Sequence, residues 1–191
     1  MQPVVRLHLR VMARKRRDLA GGIFHVMCHS VWTSELFRDD LDRMEYLREL
    51  AAAVHGYGWT CLEYCLMTNH LHLILEVIDG SLPPGMQQLN TRYACRFNHR
   101  HALRGHVFGG RYGSNRIATD AHLAIAFAYV AVNPVEAGLC QQPEDWPWSS
   151  YAAAIRLATP QSFVNPNRVL QLFGTTRELA IARLKAFVEK S

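Results

Sequence analysis

The chain has 191 residues, 49% of them hydrophobic and 19% charged, with ten histidines and a net charge of +5 at pH 7. That length fits one domain with small additions. The composition excludes a disordered chain, and no apolar run approaches the roughly 18 residues of a membrane span. The positive balance favours an anionic partner such as nucleic acid.

Residues 1–18 carry Arg6, Arg10, Arg14, Lys15, Arg16 and Arg17 before the first acid, Asp18. This arm reads either as a solvated terminus or as a basic segment for phosphates, with Arg14 and Arg17 as contacts. Residues 1–12 read as a basic arm; Met12 is an alternative start, which would make residues 1–11 an extension. No apolar h-region follows the basic terminus, so a secretory leader is not expected. Cys28, Cys61, Cys65, Cys95 and Cys140 are an odd set without C-x-x-C spacing. Reduced thiols in a cytoplasm are therefore expected, in association with the nucleoid if the partner is DNA.

Gly21-Gly22 marks a turn, and Ile23–His29 reads as a first strand with His25, Met27 and His29 on one face. Asp39-Asp40 opens a helix through about His55, with Leu41, Met44, Leu47, Leu50, Ala51 and Val54 at helical spacing toward a core. Gly56 and Gly58 end it. Trp59–Met67 reads as a second strand and His70–Ile78 as a third, joined by Thr68-Asn69 as a hairpin. Residues two apart on a strand share a face, so His70 and His72 point one way while Leu71, Leu73, Leu75 and Val77 line the other. Two such imidazoles can hold one divalent metal ion, although a bare His-x-His also occurs as two ordinary strand histidines.

Asp79–Gly85 reads as a loop and Met86 to about His101 as a second helix. Between Asp79 and Asp120 there is no acid at all. That interval carries Arg92, Arg96, Arg100, Arg104, Arg111 and Arg116, with Tyr93, Phe97, Phe108 and Tyr112 interleaved. Arg92, Arg96 and Arg100 repeat every four residues and stripe one helix face. Arginines with aromatics suit a surface that grips phosphates and stacks bases; the alternative is a solvated face with core aromatics. Thr119 and Asp120 start a helix that runs from His122 to Asn133, where Pro134 ends it. Leu123, Ala126, Phe127 and Val130 form its apolar face, and Tyr129 and Asn133, four apart, lie together beside that face. Trp146–Tyr151 is a compact aromatic turn. A short helix starts at Asn165-Pro166-Asn167, and Thr175 or Thr176 caps a last one through Lys190. The order of strands and helices predicts an α+β fold, one antiparallel sheet covered by helices.

The pieces together resemble a known family. Met67-Thr68-Asn69-His70-Leu71-His72-Leu73 is similar to the His-hydrophobe-His motif of the HUH single-tyrosine transposases. Tyr129-Val130-Ala131-Val132-Asn133-Pro134-Val135-Glu136-Ala137-Gly138-Leu139 looks like their tyrosine helix and the turn after it. Phe108-Gly109-Gly110-Arg111-Tyr112 and Trp148-Ser149-Ser150-Tyr151 resemble linking and closing segments, and the subfamily match is to the REP-associated tyrosine transposases. The resemblance spans roughly residues 13–152 and leaves 153–191 as a helical tail. Thr68 departs from the proline common before Asn-His, and Glu136 stands where a basic residue is frequent.

The resemblance implies a ferredoxin-like antiparallel sheet. It implies a strand transferase that nicks single-stranded DNA beside a hairpin through a 5′-phosphotyrosine link. It also implies Tyr129 as the nucleophile, His70, His72 and Asn133 as ligands of Mg²⁺ or Mn²⁺, and a homodimer. Tyr93 is the rival nucleophile, but its partner one turn on is Phe97, which cannot bind metal. Two competing readings remain, a catalytically silent DNA-hairpin-binding protein and a small RNA-binding module.

Overall fold

The computed structural model describes residues 20–31 and 34–191. The basic arm, with Arg14 and Arg17, lies outside them. The elements run β1 (Gly22–His29), α1 (Asp40–Tyr57), β2 (Thr60–Leu66), β3 (His70–Val77), α2 (Leu82–Arg100), β4 (Gly113–Ile117), α3 (Asp120–Glu136), α4 (Tyr151–Ala154), α5 (Asn167–Phe173) and α6 (Arg177–Val188). The first six give the βαββαβ order of a ferredoxin-like unit. The four strands pair antiparallel in the order β2-β3-β1-β4. The fold class expected from the sequence is therefore the fold observed.

Both faces of the sheet are buried, in two cores. Phe24, Val26, Cys28, Leu71, Leu73 and Leu75 pack against α1 and α2 through Tyr46, Leu50, Met86, Leu89 and Tyr93. Leu62, Cys65, Met67 and Ile74 pack against α3, α4, α5 and α6 through Phe127, Val130, Tyr151, Leu170 and Leu184. The tail beyond residue 152 thus shares a core with α3. The outer edge of β2 is covered: Ser149 bridges Cys65, Val164 bridges Cys61, and Leu66 N donates to Trp148 O at 2.9 Å. Capping an edge strand in this way removes a template for unwanted strand pairing.

Several boundaries differ from expectation, each for a local reason. Helix α2 begins at Leu82, not Met86, because Pro83 and Pro84 occupy its first turn, where a missing N–H removes no helical hydrogen bond. Gly85 then sits inside the helix because a Cβ there would meet the Trp59 ring at 2.2 Å. Helix α3 continues through Pro134 to Glu136, since a proline one turn from the end deletes a single hydrogen bond and the chain closes with Leu139 N donating to Pro134 O. Strand β4 is absent from the sequence reading. Its Gly-Ser-Asn-Arg stretch is exposed and only Ile117 is buried, so it carries no alternating apolar signal. Leu41 and Met44 of α1 are solvent-exposed, not core. The fully buried Tyr46 and Leu50 fix which face points inward, and Met44 lies about 200° around the helix from Tyr46 at 100° per residue. Of the two candidate caps for α6, Thr176 is the one used.

One core residue has no evident partner. Glu63 follows a bulge in β2, is fully buried, and neither carboxyl oxygen has a hydrogen-bond partner. Burial pushes its pKa well above the usual carboxyl value, so the folded chain holds it protonated. The unfolded carboxyl releases its proton above about pH 4.5, where the folded one does not. The unfolded state then binds fewer protons, and stability falls as pH rises through that window, by up to about 1.4 kcal/mol per pH unit. Glu63→Gln should remove that slope and raise stability at pH 7. Urea unfolding at pH 5, 6.5 and 8 measures it, and an unchanged slope in the variant would refute the assignment.

Candidate active site

Four histidines meet on the α3 face of the sheet. β1 and β3 pair with His29 opposite His70 and Met27 opposite His72, so His25, His29, His70 and His72 all project to one side. The ring centroids of His70 and His72 are 5.1 Å apart, those of His29 and His70 5.3 Å, and those of His25 and His72 5.1 Å. α3 crosses this face. Thr119 caps its start by accepting from His122 N, and Leu123, Phe127 and Val130 seat it on the sheet. That seating brings the Tyr129 ring edge-on to His72 at 5.6 Å and to His25 at 5.8 Å. Tyr129 is 37% exposed, whereas Asn133, one turn on, is buried.

Hydrogen bonds fix the site's orientation. Asn133 Nδ2 donates to Tyr129 O at 3.2 Å, so the amide's donor end is held by its own helix. The Asn133 side chain favours the protonated ring of both His70 and His72, against the larger effect of burial. His70 Nδ1 is 2.7 Å from Asn69 Oδ1, and His72 Nδ1 is 2.9 Å from His25 Nε2. His72 Nε2 is buried with no hydrogen-bond partner.

Burial, then the neighbouring His29, lowers the pKa of His70. Burial, followed by His25, His70 and His29, lowers that of His72 well below the usual value. Burial and then His122 lower His25 to about 4. At neutral pH these three imidazoles are uncharged, the form that can donate a lone pair.

These residues suit a divalent metal. A buried ring nitrogen without a partner is an uncompensated polar atom, and a cation would satisfy it. Among the described residues no three of His, Cys, Asp and Glu converge to hold a metal. The Asn133 amide oxygen is a further neutral donor on the adjoining helix turn. Such a set adds no negative charge to cancel the ion's own.

The other expected site residues divide sharply. Tyr93 is fully buried in the core on the opposite face of the sheet, with its hydroxyl donating to Leu36 O. It cannot meet a substrate. Arg92, Arg96 and Arg100, expected from the sequence to grip phosphates, also pair with acids of α1 while staying about a third to a half exposed. Arg92 pairs with Glu49, Arg96 with Glu45 and Glu49, and Arg100 with Asp39 and Asp42. The stripe is one side of an ion-pair ladder between α1 and α2. Glu49 and Asp42 are nearly inaccessible, and a buried carboxylate needs such partners. A cavity of about 460 Å³ lined by Asp42, Glu45, Arg96 and Arg100 belongs to this ladder, not to the histidines.

Arg104 and Arg111 are exposed and make no ion pair with a described carboxylate. Arg116 lies on β4, where its Nη2 donates to Gly21 O at 3.1 Å. Arg111 borders a groove of about 310 Å³ with Gln87, Thr91, Phe108 and Tyr112. Gly109 anchors that loop beside the histidines by donating to His29 O at 3.0 Å, and a Cβ there would strike Ser30 O at 2.6 Å. The sequence reading gave His25 no role and missed the groove. The shared face of His25, Met27 and His29 was the available sign of the first.

Known proteins share this fold. The chain is similar to a Haemophilus influenzae protein provisionally named as a REP-associated tyrosine transposase, at 28% identity over 161 residues, covering 73% of this chain and 86% of that one. A solved REP-associated tyrosine transposase bound to a REP hairpin shares the fold, with a TM-score of 0.65 at 17% identity over 76% of this chain and 86% of the other. Residues 22–133, over half the chain and spanning every strand as well as His70, His72, Tyr129 and Asn133, match the family of IS200-like transposases, and the chain belongs to that family.

Proposed function

We propose that this transposase is a metal-dependent single-stranded DNA endonuclease and strand transferase that acts beside DNA hairpins of the REP type through a covalent 5′-phosphotyrosine at Tyr129. The observation that carries the reading is the convergence of a half-exposed tyrosine with two neutral histidines and an amide around one partnerless ring nitrogen. The capture of a related fold on a REP hairpin supports a hairpin as the partner.

His70, His72 and Asn133 would hold the metal, which when bound supplies positive charge to a scissile phosphate and to the charge that develops in its transition state. Mg²⁺ and Mn²⁺ are both candidates, and imidazole ligands favour Mn²⁺. Tyr129 Oη attacks phosphorus as the bond to the 3′ oxygen of the preceding nucleotide breaks. The tyrosyl proton passes to solvent, and the departing 3′ oxygen takes one from solvent. One phosphate ester replaces another, so attack by a 3′-hydroxyl rejoins the strand without an external energy source. Asn133 is held by Tyr129's own carbonyl, which couples the ligand to the nucleophile's helix turn.

The experiment is incubation of the protein with labelled hairpin DNA carrying single-stranded flanks, in Mn²⁺. The reading predicts a covalent, protease-sensitive adduct and a released strand that a polymerase extends without phosphatase treatment. Tight binding with no adduct across many hairpins would contradict it and favour a silent hairpin-binding protein.

Phosphate contacts are assigned to Arg104, Arg111 and Arg116, with Arg14 and Arg17 on the arm, rather than to the α2 stripe. Arg111→Ala should reduce the slope of log affinity against log salt by about 1, because one fewer phosphate releases its counterions. Arg96→Ala should leave that slope unchanged and instead lower Tm by about 2–4 °C, since buried Glu49 loses a partner. Binding titrations at three salt concentrations, with thermal melts, distinguish the two. A flattened slope in Arg96→Ala would restore the stripe as a DNA-binding face.

A further inference from the structure

We propose that His25 is a positioning residue that fixes the tautomer of His72, so that Nε2 of His72 presents a lone pair to the metal. The inference rests on the reading of His72 as a ligand and goes beyond it by assigning a further residue.

The hydrogen bond between His72 Nδ1 and His25 Nε2, at 2.9 Å, requires one nitrogen to carry the proton and the other to accept. There are two ways to place it. If His25 donates, His72 carries its own proton on Nε2, which then lies buried with no acceptor within hydrogen-bond distance, Asn133 acting on the ring only from farther off. An unsatisfied buried donor is costly, and a protonated nitrogen cannot bind metal. If His72 donates from Nδ1, its Nε2 keeps the lone pair and His25 carries its proton on Nδ1. Only the second arrangement avoids burying a partnerless N–H and leaves a ligand.

His70 is arranged in parallel. Its Nδ1 lies 2.7 Å from Asn69 Oδ1, an oxygen that can only accept, so His70 also has Nε2 available. Asn69 precedes its ligand in the chain, whereas His25 reaches across from the neighbouring strand. His25 lies on the β1 row beside the Met27–His72 pair, which makes it a diagonal neighbour of His72. The same ring packs against the edge of Tyr129 at 5.8 Å. His25 therefore contacts both the His72 ring and the Tyr129 side chain.

The test uses the full chain and two variants. His25→Phe fills the space but cannot accept a hydrogen bond, and His25→Gln restores an accepting oxygen. In metal-free wild-type protein, nitrogen NMR of ¹⁵N-histidine should show His72 protonated on Nδ1 and bare on Nε2. Mn²⁺ affinity, read from the EPR signal of the free ion, should fall 10- to 100-fold in His25→Phe, the usual range for loss of such a partner. It should recover to within about threefold in His25→Gln, while metal-free thermal melts of the two variants stay similar.

His72 protonated on Nε2 in the wild type would overturn the proposal, and so would wild-type Mn²⁺ affinity in a folded His25→Phe. His70→Ala separates failure of the underlying reading. If that variant binds Mn²⁺ as tightly as wild type, the ligand set itself is wrong and the role of His25 falls with it. The NMR result does not depend on metal and reports the tautomer in either case.

Discussion

Tyr129→Phe abolishes the covalent protein–DNA adduct and leaves hairpin binding within a few-fold of wild type. The substitution removes one hydroxyl from a ring that is 37% exposed and not part of either core, so fold and packing survive. Its effect on affinity is limited to a neutral hydrogen bond, about 1 kcal/mol. Its effect on chemistry is total, because the group it removes is the proposed nucleophile. Tyr93→Phe gives the opposite pattern. It keeps the adduct but loses the buried hydrogen bond to Leu36 O, which destabilises the fold by about 1 kcal/mol. Denaturing gels of labelled DNA with protein, together with melts of each variant, read both outcomes. An adduct that persists in Tyr129→Phe would move the nucleophile elsewhere.

His72→Ala is expected to reduce cleavage by about a thousandfold while DNA affinity changes little. A metal contributes several kcal/mol of transition-state stabilisation, and about 4 kcal/mol corresponds to three orders of magnitude in rate. His70→Ala should behave similarly, since each ring would provide one Nε2 to the proposed ion. His72 is more deeply buried than His70, so its replacement also opens a cavity, and His70→Ala is the cleaner variant. Single-turnover cleavage across a Mn²⁺ titration measures the loss. Recovery at high Mn²⁺ would indicate weakened binding, whereas full activity in both variants at low Mn²⁺ would contradict the ligand assignment.

Much of this site was legible in the sequence because strand periodicity is local. Alternation alone put His70 and His72 opposite Leu71 and Leu73, and the four-residue spacing put Tyr129 beside Asn133. The resemblance then joined the two segments. What the sequence could not show depends on partners distant along the chain. The arginine stripe was visible, and so were acids at 39, 42, 45 and 49, but only the antiparallel packing of α1 on α2 matches Arg100 to Asp39 and Arg92 to Glu49. A charge pattern that looks like a phosphate grip is, in the fold, also one side of a half-exposed ion-pair ladder. Tyr93 likewise sits on an arginine-rich helix yet faces the core, because Phe37 and Tyr46 enclose its ring at 5.6 and 5.1 Å. β4 was missed because an edge strand of Gly, Ser, Asn and Arg pairs through its backbone and buries almost nothing. His25 was placed on the correct face but given no role, since its contact with His72 spans 47 residues.

The central claim is that Tyr129 forms the bond to DNA, and peptide mapping of the adduct tests it directly. Hairpin DNA is reacted with the protein in Mn²⁺, the adduct is digested with protease and nuclease, and the remaining nucleotide-bearing peptide is sequenced by mass spectrometry. The account predicts a single modified peptide with a 5′-phosphodeoxynucleotide on Tyr129. A nucleotide on Tyr93, on any other residue, or joined through a 3′-phosphate would contradict it.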